Sequence, residues 1–190
     1  MRRDPLVDGD HPETWENMSI ATATLAGSLH RISDKGRADL FPTWSPDGRW
    51  IALTGAPDAP GASGNDAVKQ AMVQRKIWTM EPDGTAKRQL TNDAKFRDER
   101  PEWSANGEYI LFARLDEAQA QLCLMRADGS EQKRVVEELT PSPGVTGYFG
   151  YIDWGQLYDW WKGPPNATSS AAPMPTPTVP AMLSPRSVLP

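Results

Sequence analysis

Residues 42–53 read Pro-Thr-Trp-Ser-Pro-Asp-Gly-Arg-Trp-Ile-Ala-Leu, and residues 101–112 read Pro-Glu-Trp-Ser-Ala-Asn-Gly-Glu-Tyr-Ile-Leu-Phe. Laid over one another without gaps, they pair Pro42 with Pro101, Trp44 with Trp103, Ser45 with Ser104, Gly48 with Gly107 and Ile51 with Ile110. Ser45-Pro46-Asp47-Gly48 has the chemistry of a tight turn: Pro presets φ, Asp bonds its local backbone, and Gly accepts φ > 0. Asn106-Gly107 carries the same signal. Behind the first turn, Trp50, Ala52 and Thr54 alternate with Ile51 and Leu53, the period of two expected of a strand. Each copy therefore reads as a β-hairpin. Tyr151-Ile152-Asp153-Trp154-Gly155 is a weaker third copy that keeps the Trp and loses the turn.

A second motif alternates with the first. It runs through residues 76–91, with Trp78 in the strand and Pro82-Asp83-Gly84 in the turn. It recurs over 121–136, turning at Asp128-Gly129, and an earlier copy spans 19–33. One motif of each kind gives four short antiparallel strands, which is one blade of a propeller-like stack of sheets. Gly84 and Gly129 are 45 residues apart, an ordinary blade period, whereas Gly48 and Gly107 are 59 apart. The excess falls at 55–75, read as a loop inserted between the second and third strands of that blade, with a helical turn or two expected over 67–75. Strands are expected near 50–54, 77–80, 88–90, 109–113, 122–126 and 133–136.

At these residues the chain resembles the TolB-type, WD-repeat-like β-propeller family. The resemblance covers about residues 18–155. It implies an all-β fold: an incomplete β-propeller of four-stranded antiparallel blades, about two and a half of them, where the family usually has six. Residues 1–17 are expected to be a flexible arm, 18–162 the blades, and 163–190 a disordered tail holding eight of the 18 prolines. Asn166-Ala167-Thr168 in that tail matches a glycosylation acceptor triplet. The resemblance further implies a non-enzymatic role in protein binding or scaffolding in the cell envelope. The alternative is a propeller segment of a prolyl-oligopeptidase-type serine peptidase without its hydrolase domain. Family resemblance points to a periplasmic or extracellular location, although Met1–Leu6 does not read as a signal peptide.

Composition narrows the chemistry. Twenty Lys and Arg stand against 25 Asp and Glu, a net charge of −5, so no basic stripe for nucleic acid is expected. No apolar run is long enough to span a bilayer, so membrane insertion is not expected. With one cysteine (Cys123) and two histidines (His11 and His30), neither a disulfide nor a multi-ligand metal site is expected, and no cofactor. Gly61-Ala62-Ser63-Gly64 is not a nucleophile elbow, which would need Gly-x-Ser-x-Gly. Trp44, Trp78 and Trp103 are expected to pack blade against blade. Asp47, Asp83 and Asp128 are expected to serve their turns. The charged run 93–102 reads as a solvated loop between blades, and Trp160 and Trp161 as an imperfect strand covering the last blade. Open blade faces are expected to promote self-association.

Overall fold

The computed structural model describes residues 18–35, 37–57, 73–116, 119–137, 139 and 157–162. Its ten strands are β1 (Ala21–Ala23), β2 (Leu29–Arg31), β3 (Arg37–Trp44), β4 (Ile51–Pro57), β5 (Lys76–Met80), β6 (Arg88–Gln89), β7 (Arg97–Trp103), β8 (Tyr109–Leu115), β9 (Ala120–Arg126) and β10 (Lys133–Val136). Two four-stranded sheets run in chain order, β3-β4-β5-β6 and β7-β8-β9-β10, with every neighbour antiparallel. We call them blade 1 and blade 2. Among the described residues, the β1–β2 hairpin forms a two-stranded sheet of its own.

The turns form as their chemistry dictates. Ser45 N–H and Ser104 N–H close the first hairpins onto Trp50 O and Tyr109 O, and Gly48, Gly107, Gly84 and Gly129 all adopt positive φ. Two of these glycines also settle how blades approach one another. A Cβ on Gly84 would lie 2.6 Å from the carbonyl oxygen of Ile32, and one on Gly129 would lie 3.2 Å from that of Leu90. Each outer hairpin thus rests its turn on the backbone of the hairpin before it, and only glycine permits that contact.

The sheets pack face to face. Between blades 1 and 2, Ala52, Ile77 and Leu90 meet Trp103, Ile110, Phe112, Cys123 and Met125. Between the β1–β2 hairpin and blade 1, Ile20 and Ile32 meet Ile51, Leu53 and Met80, with Trp78 alongside. Register shows the two interfaces to be the same one repeated, with Ile51 equivalent to Ile110, Leu53 to Phe112, Trp78 to Cys123 and Met80 to Met125. Burial keeps the Cys123 thiol protonated above its usual range.

The charged run 93–102 departs from the expectation of a solvated loop. Residues 97–103 form β7, the first strand of blade 2, and Asp98 and Glu99 are buried. Its counterpart β3 extends well ahead of Trp44. Arg-Asp-Glu-Arg shows no apolar alternation, so the pattern conceals a strand whose burial is sustained by ion pairs. Trp154, the 58–72 portion of the insertion, the N-terminal arm and the tail lie outside the described residues.

Candidate interaction surface on blade 1

Both first strands carry the same irregularity. Their registers shift between Leu40 and Thr43 and between Glu99 and Glu102. At the shift, Phe41 and Arg100 hold φ of 50° and 47°, a left-handed conformation that a non-glycine residue adopts only when its surroundings fix it. In blade 2 the fixing contacts are visible. Arg100 N–H donates to Thr54 Oγ1 of blade 1 at 2.9 Å, and Tyr158 Oη donates to Arg100 O at 2.5 Å.

Just before the bulge each first strand buries an aspartate, five residues ahead of the motif tryptophan. Asp98 receives Arg114 in a two-point contact at 2.7 and 3.0 Å. Beside it, Glu99 is held by Arg75 at 2.5 Å and Arg97 at 3.2 Å. In blade 1, Gly55 occupies the position of Arg114, and the guanidinium of Arg37 fills the space a side chain there would take. Arg37 Nη2 lies 2.6 Å from where a Gly55 Cβ would stand. Arg37 reaches Asp39 at 3.5 Å and lies 4.2 Å over the Trp78 ring, while Lys87 bridges Asp39 at 3.5 Å and Asp34 at 2.8 Å. Asp39 and Asp98 tie the first strand of each blade to its own sheet, whereas Glu99 ties the first strand of blade 2 to Arg75, just before β5 in blade 1. The sequence reading missed them, although an aspartate at the same offset in both copies was the signal.

The turn aspartates serve their turns. Asp47 accepts from Ser45 Oγ at 2.6 Å and Arg49 N–H at 3.0 Å, Asp83 from Thr85, and Asp128 from Ser130. Those bonds hold all three carboxyls below their usual range. Asn106 replaces Asp47 in blade 2 and accepts from Ser104 Oγ. At this end of the blades a cleft of ≈ 610 Å³ opens between Trp50, Asp47, Arg88, Trp103, Asn106 and Asp128.

The tryptophans separate. Trp103 is 3% exposed, and its Nε1 donates to Thr43 O of blade 1 at 3.2 Å. Trp44, the same residue of blade 1, is 49% exposed, against the expectation of a packed position. The reason is geometric. The β1–β2 hairpin corresponds to the third and fourth strands of a blade and covers only the outer half of blade 1. Trp44 sits on the first strand, at the inner half, where no described strand lies. Pro42 is likewise exposed where Pro101 is buried. Over blade 2 the cover also differs from expectation. Leu139, Leu157 and Tyr158 pack against Ala113 and Ala120, residues 158–162 form no strand, and Trp161 projects into solvent.

Sheets of four antiparallel strands in chain order, stacked face to face with their first strands adjacent, define a β-propeller-type repeat protein. The described residues comprise two blades and the outer half of a third. A scan for protein families finds no match, and neither does a search of curated proteins. Among solved structures, the chain is similar to a putative TolB from Agrobacterium tumefaciens, with 22% identity, covering 61% of this chain and 40% of that one, at a TM-score of 0.49. It is also similar to TolB from Acinetobacter baumannii, with 21% identity, covering 61% and 26%, at a TM-score of 0.44. The chain thus spans less than half the length of either.

Proposed function

We propose that this chain is a non-enzymatic β-propeller repeat protein that acts by binding other proteins. The observation supporting this is the half-covered face of blade 1. An indole 49% exposed sits beside a packed apolar interface. Tryptophan anchors of this kind contribute disproportionately to protein–protein affinity. The motif resemblance to the TolB type extends the proposal to a place in the cell envelope. A photo-crosslinking amino acid at position 44 of the full chain, in the cells that make it, tests the binding role. A small set of discrete protein adducts is expected, absent when the probe stands at Arg49. A lack of adducts would overturn the binding role, peptidase turnover by the purified chain the non-enzymatic part, and recovery in the cytosolic fraction the envelope location.

A further inference from the structure

We infer that the cleft between blades 1 and 2, at the turn end of the sheets, is a saccharide-binding site whose ligand is a short neutral oligosaccharide. The site is separate from the Trp44 face. The residues that line it belong to the two four-stranded blades and their turns.

The floor follows from strand alternation. Thr79 stands two residues after Ile77 on β5, so it shares the face that Ile77 turns toward blade 2. Thr79 is 5% exposed, and its Oγ1 has no hydrogen-bond partner among the described residues. A hydroxyl so deeply placed ordinarily finds a partner. This one lines the cleft instead. Trp50 and Trp103 supply apolar wall, and Trp50, only half-buried, also packs against the core between the blades.

The rim is held in place in advance. Asp47, Asn106 and Asp128 each commit Oδ1 to their own turn. Asp47 Oδ2, Asn106 Nδ2 and Asp128 Oδ2 make no hydrogen bond among the described residues. The turns thus fix two carboxylate oxygens and one amide group before any ligand arrives, which lowers the ordering cost of binding. Arg88 reaches across the junction, its Nη2 donating to Asp128 O at 2.7 Å, and its other N–H groups have no described acceptor.

Donors and acceptors therefore stand together beside an indole, and that mixture selects the ligand. A sugar hydroxyl donates once and accepts twice, so it uses both kinds of group. The C–H face of a pyranose ring is faintly positive and suits the negative face of an indole. A basic side chain brings donors alone. It would leave Asn106 Nδ2 unused and meet the positive charge of Arg88. An acidic sugar would meet two carboxylates that their turns keep ionised. The cleft volume of ≈ 610 Å³ lies within the roughly 300–1,000 Å³ of small-molecule sites.

The full chain is screened on an array of neutral, acidic and amino glycans, and neutral hits are titrated by calorimetry. Saturable one-to-one binding of a neutral oligosaccharide is expected. Thr79→Val keeps the shape and removes the hydroxyl. It should weaken binding about threefold to tenfold and leave the melting temperature unchanged or slightly raised, since that hydroxyl has no described partner to lose. Asp47→Asn should weaken binding by a similar factor without loosening its turn, because Asn106 already closes the equivalent turn of blade 2. Asp83→Asn, the same change in a turn outside the cleft, should leave binding unaltered. Absence of any neutral hit overturns the site, as does binding indifferent to both Thr79→Val and Asp47→Asn. Saturable binding of a tri-arginine peptide that Asp47→Asn abolishes, with no glycan bound, would assign the cleft to basic peptides and overturn the saccharide reading.

Discussion

Trp44 and Trp103 occupy the same position of the same motif, yet one is half in solvent and the other is sealed. Their strands match in bulge and in the turn that follows. Among the described residues, the difference lies in what stands in front of them: for Trp103 a complete blade, for Trp44 only the outer half of one. Burial in a stacked repeat is therefore a property of the neighbour. A repeat motif fixes which side chain faces forward, and the preceding sheet decides whether that side chain becomes core or contact surface.

Truncating the two indoles gives the strongest test of this contrast. Trp103→Ala should cost about 3–5 kcal/mol in denaturant unfolding, since it empties a packed site and frees Thr43 O. Trp44→Ala should cost less than about 1 kcal/mol in the isolated chain. Equal losses would mean that the face of blade 1 is covered after all. Next come the buried aspartates. Asp98→Ala strands Arg114 in the sheet and should cost about 3 kcal/mol. Asp39→Ala should cost less, because its pairs are longer and Lys87 keeps Asp34. A reversed order would show the blade 1 cluster to be the tighter one. Smaller again are the turn glycines. Alanine at either Gly84 or Gly129 should cost about 1–2 kcal/mol for the left-handed backbone, with more at Gly84, where the contact to the preceding hairpin is closer. Thermal melts of the two variants compare how firmly each hairpin seats.

The smallest effect is that of acid. The turn carboxyls of Asp47, Asp83 and Asp128 sit below their ordinary 3.8 in the folded chain. The unfolded chain therefore takes up protons first as pH falls. The stability these groups confer is complete above about pH 4 and drains away as pH drops through their lowered values. Asp47→Asn should flatten that acid limb slightly, in blade 1 alone, since blade 2 already carries Asn106 at this position.

The hairpins were legible because turn chemistry is local: Pro-Asp-Gly and Asn-Gly name their conformations within four residues. The stacking order was legible because the motifs alternate at blade spacing. What escaped was the ionic part of the first strands. Arg97-Asp98-Glu99-Arg100 looks like a solvent-exposed run to any reading of hydropathy. It becomes a strand only once Arg75 and Arg114 arrive from elsewhere in the chain, and partners that distant leave no periodicity. The exposure of Trp44 escaped for a related reason, since it depends on a sheet that the motif itself does not contain.

The insertion in blade 1 has a kinetic consequence. Eighteen residues, 58–75, join β4 to β5, whereas four, 116–119, join β8 to β9. Closing the longer connection costs about 1.3 kcal/mol more in chain entropy. Blade 2 is a run of three short-range hairpins and should gain amide protection first on refolding. Blade 1 should then zip onto the Ile110–Phe112 surface already standing. Pulse-labelled hydrogen exchange would show the order, and the blade that reads second along the chain would be the one that forms first.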